Sequence, residues 1–258
     1  MSSSQAALLF CAALVAGVAN SIAGGGSFIT FPSLLFTGML PVNANATNTV
    51  AVWPGILAST SAYRKSLNIP LLRRVGPLII VTLLGSIGGA LLLLHTPQMT
   101  FLKLVPWLLL GGTVLFAFGA RITHWVNRRH PEHGPSGLTL AMITFVQLIV
   151  GIYIGYYGAG VGFIILPLLS MMGIENIHSM NGLRTLLATA GNAVAVVLFI
   201  FARAVRWPQA LVMMVGAILG GYAGAHYAQR LNQKTMRYVV IAIGSGMTAY
   251  FFWKTSAL

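Results

Sequence analysis

The sequence predicts an all-α polytopic membrane protein built from two homologous four-element repeats. Of its 258 residues, 57% are apolar and only 7% are charged, with a mean hydropathy of +0.85. A soluble domain carries about 25% charged residues. The apolar residues form long continuous runs, unlike the short alternating segments of a membrane β-barrel. The punctuation also recurs at one offset. Pro32 and Pro167, Gly38 and Gly173, Gly85 and Gly220, Gly89 and Gly224, Gln98 and Gln233, Thr100 and Thr235, and Gly111 and Gly246 all lie 135 residues apart. Matched spacing of this kind marks a duplicated unit.

About eight hydrophobic elements follow, over residues 6–38, 44–63, 75–94, 101–120, 138–172, 180–202, 207–228 and 235–254. They divide the chain into a first repeat (1–120), a basic cytoplasmic linker (121–136) and a second repeat (137–258). Met1–Gln5 carries no basic residue, so the first run reads as a retained membrane segment and not as a cleaved signal peptide. Cys11 is the sole cysteine; it rules out an intrachain disulfide and a multi-cysteine metal site.

The first and fifth elements have 33 and 35 residues, where about 20 suffice to span a bilayer. Each is interrupted by glycine: Asn20-Ser21-Ile22-Ala23-Gly24-Gly25-Gly26-Ser27 before Pro32, and Tyr156-Tyr157-Gly158-Ala159-Gly160-Val161-Gly162 before Pro167. Non-helical backbone at membrane depth persists only where protein or a water-filled cavity surrounds it. The elements at 75–94 and 207–228 carry small residues four apart, Gly85 with Gly89 and Gly220 with Gly224, which lets helices approach closely.

Two topologies are open. If each long element crosses once, the repeats are parallel; if each turns back at its glycines, they are inverted. Assigning the loop lysines and arginines puts ten inside and four outside in both cases, so the positive-inside rule does not separate them. Loops 64–74 and 121–136 are cytoplasmic either way. Paired glycine-interrupted segments point to inverted repeats around a midplane site, and that arrangement is favoured.

The formal net charge of +13 is mainly topological, and no soluble basic domain exists to bind nucleic acid. Acids say more. Glu132 and Glu175 are the only two and neither lies in an apolar element. Cation and proton routes commonly use intramembrane Asp or Glu, so an anionic or neutral substrate suits the chain better.

The candidate substrate-binding residues cluster at the breaks and at the helix starts that follow them. In the first break they are Asn20, Ser21, Gly24, Gly25, Gly26 and Ser27. A helix starting at Ser27, with the Ser27 hydroxyl as its cap, would aim free amides and a positive dipole end at an anion. In the second they are Tyr156, Tyr157, Gly158, Gly160 and Gly162, whose phenols can donate to an oxyanion or form an interfacial belt. Thr47 and Asn48 open the second element. Asn181 and Arg184 open the sixth, with Asn192 deeper along it. Arg184 is the one basic residue placed inside a span, Lys103, Arg237 and Lys254 standing at element ends. Its guanidinium fork suits a carboxylate, sulfite or sulfonate, or it snorkels to the headgroups from near the helix end. His130 and His133 lack a third ligand, so no metal is expected, nor any cofactor. No phosphate loop and no assembled acid, base or nucleophile indicates an enzyme.

Ala23-Gly24-Gly25-Gly26-Ser27-Phe28-Ile29 running into Pro32-Ser33-Leu34-Leu35, then Asn45-Ala46-Thr47-Asn48-Thr49 and Tyr63-Arg64-Lys65, resembles the sulfite exporter TauE/SafE family of small sulfur-compound permeases. The second half repeats the pattern as Gly158-Ala159-Gly160-Val161-Gly162, Pro167-Leu168-Leu169, Asn181 and Arg184. Val161 and Gly162 stand where Gly26 and Ser27 stand, so the second break departs from the first. The resemblance implies a multi-pass protein of the bacterial cytoplasmic (inner) membrane. It further implies a secondary transporter, in the exporting direction, for sulfite, sulfoacetate or another organosulfonate. An anion channel and a carrier of another carboxylate or neutral solute are the competing readings. The expected partners are a small anionic substrate and the lipid bilayer; a homodimer is left open.

Overall fold

The computed structural model describes residues 1–22, 25–127, 136–174, 176–227 and 233–256. Ten α-helices account for most of them: α1 (Ser3–Ile22), α2 (Ser27–Phe36), α3 (Pro41–Ala62), α4 (Ile69–His95), α5 (Gln98–Asn127), α6 (Gly137–Tyr156), α7 (Gly162–Met171), α8 (Ile177–Phe201), α9 (Trp207–Tyr227) and α10 (Gln233–Ser256). A 3-10 turn, Arg64–Ser66, follows α3. Among the described residues there is no strand. Among the described residues, five helices are long and apolar enough to cross a membrane, within Ser3–Ser21, Ile69–His95, Gln98–Leu115, Gly137–Tyr156 and His178–Phe201.

Helix starts follow local chemistry. Asn68, Ser136 and Asn176 cap α4, α6 and α8, their side chains accepting from the amides of Leu71, Thr139, and His178 with Ser179. Pro41 opens α3, where its missing N–H costs nothing and its fixed φ is already helical. Gly173, with φ +73°, follows the end of α7, a backbone state that a side chain disfavours.

The two ends of continuous α3 mark the two ends of the bundle. At its start, the Val42 amide donates to Gln98 Oε1 (2.8 Å), Asn43 Nδ2 to the Ala204 carbonyl (2.9 Å) and the Arg206 amide to Thr47 Oγ1 (3.0 Å). Beyond its other end, Ser179 Oγ donates to the Ser66 carbonyl (3.1 Å) and the Arg74 guanidinium to the Met172 carbonyl. Arg206 therefore lies at the opposite end from Arg64 and Arg74.

Direction along the other helices follows from their contacts. Phe10, Leu14 and Val18 of α1 meet Gly216, Gly220 and Gly224 of α9 in the same order, and Gly151 and Gly155 of α6 meet Gly85 and Ser86 of α4 likewise. These pairs run side by side in one direction. A β-carbon built at Gly89 would collide with the Ile152 carbonyl, and one at Gly220 with the Leu14 carbonyl; glycine is what allows these backbones to touch. After α1, the chain at Gly26 lies against Ala16 and Asn20. Helix α2 then returns toward the end where α3 begins. Helix α7 likewise starts beside Arg184 and ends at Arg74, returning to the end from which α6 set out. Each short helix has 10 residues and is about 15 Å long, half the hydrocarbon thickness. Helices α3 and α8 cross between these returning segments, joined by Trp53 Nε1 donating to the Thr189 carbonyl (3.0 Å) and by a Thr60–Thr189 hydroxyl pair (2.8 Å).

Candidate functional site

A cavity of about 50 Å³ lies where α3 and α8 meet the starts of α2 and α7. Its walls are Asn20, Ser27, Thr49, Val52, Ile56, Tyr157, Gly158, Val161, Gly162, Arg184, Thr185, Ala188 and Asn192. One water needs about 10–15 Å³ of such space, so the cavity has room for a few waters or one small oxyanion.

The turn that feeds α7 is shaped by two left-handed glycines, Gly158 (φ +72°) and Gly160 (φ +74°), a region that residues with a β-carbon avoid. Tyr157 and Gly158 both donate their amides to the Tyr153 carbonyl, at 2.9 and 2.8 Å, and Tyr153 OH donates to the Ala159 carbonyl (2.7 Å). The turn is thereby tied to α6. Helix α7 then begins with Val161 as its cap residue and no side-chain cap. Its first amides have no intrahelical acceptor and its positive dipole end faces the cavity at Gly162.

Arg184 is the dominant charge. It sits seven residues into α8 and is only 3% exposed. Its side chain lies against Gly162, where an added β-carbon would stand 3.0 Å from Cδ and 3.2 Å from Nη1. Nη2 is buried without a hydrogen-bond partner. Both acids of the sequence, Glu132 and Glu175, fall outside the described residues. Tyr157 OH, on the same cavity wall, is a second buried donor without a partner. A buried charge or hydroxyl left unpaired costs several kcal/mol or about 1–3 kcal/mol respectively, so water or an anion in the cavity has two donors without a protein acceptor to meet.

The sequence candidates fall into two groups. Asn20, Ser27, Tyr157, Gly158, Gly162 and Arg184 line the cavity. Asn48 stands behind the wall, donating from Nδ2 to Ser27 Oγ (3.3 Å), with its own Oδ1 buried and unpartnered. Asn20 Oδ1 accepts the Gly26 amide (2.8 Å), so that amide is already occupied. The remaining candidates lie elsewhere. Ser21 Oγ donates to the Val18 carbonyl (2.8 Å), Thr47 accepts the Arg206 amide and the Asn181 carbonyl accepts Thr185 Oγ1 (3.0 Å). Tyr156 packs edge-on to Phe101 (5.6 Å), and Gly160 faces Gly112 and Phe28. Gly25 is buried and its carbonyl accepts the Phe28 amide (3.2 Å). Gly24 lies outside the described residues.

One expectation is corrected. Ser27 does not cap α2: Gly26 is the cap residue, in helical geometry with no side-chain cap, and the Ser27 hydroxyl turns instead to Asn48. As the first residue of α2, Ser27 is one position too late to cap it.

Sequence reading missed Thr49, Val52, Ile56, Val161, Thr185 and Ala188 as cavity walls, and placed Asn192 inside the bundle without assigning it to the site. Their signal is helical spacing. Thr49, Val52 and Ile56 make one stripe on α3, and Arg184, Ala188 and Asn192 another on α8, the i, i+3, i+7 and i, i+4, i+8 spacings of a single helix face. Thr49 and Arg184 also share the 135-residue offset of the matched punctuation.

Residues 9–251 match the family model described as Sulfite exporter TauE/SafE. A probable membrane transporter protein of Haemophilus influenzae is 31% identical over 246 residues, covering 94% of this chain and 92% of the relative. The probable membrane transporter protein YfcA of Escherichia coli is 29% identical over 249 residues, covering 94% and 87%. No solved structure matches the chain. With a match over nearly its whole length, the chain belongs to the TauE/SafE family: it is a multi-pass membrane transporter and not an enzyme.

Proposed function

We propose that the chain is a secondary transporter that exports a small sulfur-containing oxyanion, sulfite or an organosulfonate, across a bacterial cytoplasmic membrane. The observation that carries this reading is Arg184. It is a buried cation with a free donor, at the wall of a cavity sized for one small oxyanion. An intramembrane charge is retained where it has a ligand or partner to meet, and a planar guanidinium matches two oxygens of a sulfonate or sulfite. The description of the matched family as a sulfite exporter agrees with that chemistry.

Alternating access would come from two inverted repeats, 1–120 and 137–258, rocking about the cavity. Helix directions support this. The α1 and α2 pair departs from and returns to one end of the bundle, while α6 and α7 depart from and return to the other. Counterparts also pack reciprocally, α1 on α9 and α6 on α4. The end bearing Arg64, Arg73 and Arg74 is cytoplasmic under the positive-inside rule.

The test is counter-flow in proteoliposomes loaded with unlabelled sulfite. A carrier accelerates entry of labelled sulfite against its own gradient. Leak without acceleration would mark a channel, and absence of any sulfite flux would overturn the reading.

A further inference from the structure

We infer that the cavity selects singly charged oxyanions and rejects dianions, so that for a dibasic acid the transported proton rides on the substrate. This rests on the proposed anion site and specifies its charge.

The first argument is charge balance. Among the described residues, Arg184 is the only Lys or Arg that lines the cavity. The other basic residues whose surroundings are described lie toward the bundle ends, with Arg64 and Arg74 at one and Arg206 at the other. Among the described residues, Tyr63, at the end of α3, lies near Arg184, and Tyr157, at the end of α6, shares its cavity wall; the 3-10 turn that also packs on α8 carries Arg64, which does not line the cavity. Helices α4 and α7, which also pack on α8, put no acid or base on the cavity wall. One guanidinium, aided by the partial charge at the start of α7, neutralises one negative charge. A second would be buried without a counter-ion, at a cost far above what a neutral hydroxyl returns.

The second argument is what the wall offers. Arg184 Nη2 and Tyr157 OH, on two cavity-lining residues, are donors without a protein acceptor. The unpartnered amide oxygens Asn45 Oδ1 and Asn48 Oδ1 belong to residues that do not line the cavity. The wall therefore suits the oxygens of one monoanion and brings no second positive charge.

The consequence concerns coupling. Carrying a monoanion HXO₃⁻ across the membrane is equivalent to carrying XO₃²⁻ together with one proton, which is released wherever the solution favours the dianion. No protein carboxylate is required for that proton, which accounts for transport through spans that contain no Asp or Glu.

The experiment is equilibrium binding to the purified full-length protein with three probes, each titrated across neutral pH. Methanesulfonate is a monoanion throughout, sulfate a dianion throughout, and sulfite passes from one to the other. Expected are pH-independent binding of methanesulfonate, no binding of sulfate, and sulfite affinity that falls about tenfold per pH unit once the monoanion is the minor species. Sulfate binding within tenfold of methanesulfonate, or sulfite affinity that holds or rises with pH, would overturn the inference while leaving an anion site. Failure of all three probes to bind at any pH would overturn the anion site itself.

Discussion

At the residue scale, the proposed anion site rests on Arg184, a group that also burdens the fold. A buried charge with an unpaired nitrogen is destabilising until an anion arrives, and replacing it by an apolar side chain removes that cost. Arg184→Met is therefore expected to melt at higher temperature than the anion-free parent, while losing the further stabilisation that methanesulfonate gives the parent. Thermal unfolding with and without the anion checks both halves. Gly162 is coupled to the same group. A β-carbon there already presses on the arginine, so Gly162→Val should displace the guanidinium and weaken anion binding by about tenfold or more, with helicity by circular dichroism unchanged. Arg184 was legible in the sequence because a lone basic residue in an apolar run stands out. Thr49, Val52, Ile56 and Ala188 were not: three are apolar or nearly so, and the crossing of α3 with α8, which no local pattern encodes, decides that they face a cavity.

At the element scale, two glycine-seamed pairs frame the molecule, α1 with α9 and α4 with α6. Gly89 and Gly220 sit where backbones meet, whereas Gly88 is exposed and has nothing within 4 Å of an added β-carbon. Overpacking a tight contact costs about 1–3 kcal/mol. Gly89→Val and Gly220→Val are thus expected to unfold several degrees lower than Gly88→Val, which serves as the matched control in the same thermal assay. These seams were readable from four-residue spacing of small side chains. The return of α2 and α7 was not readable from charge, because crossing and turning back distribute the loop lysines and arginines in equal numbers. Backbone contacts decide the direction: Gly26 lies against Ala16 and Asn20, a contact that only a chain folding back on α1 makes. The cap at Ser27 failed for a local reason. The hydroxyl lies one residue inside the helix, and Asn48 on a neighbouring helix engages it.

At the scale of the whole molecule, the bundle has two distinct ends and one polar centre. Arg64 and Arg206 lie at opposite ends, so cysteines introduced as Arg64→Cys and Arg206→Cys, with native Cys11 replaced by serine, should label from opposite sides of the membrane. The inverted arrangement requires the cytoplasmic side for position 64. Labelling of both from one side would return the molecule to parallel repeats. All these features converge on the claim that Arg184 holds the transported anion. The most direct test is calorimetric titration of methanesulfonate into the purified parent and into Arg184→Gln. Removing one partner of a buried charge pair costs about 2–5 kcal/mol, so the variant is expected to bind at least about 30-fold more weakly. Equal affinity in a folded Arg184→Gln protein would contradict the account.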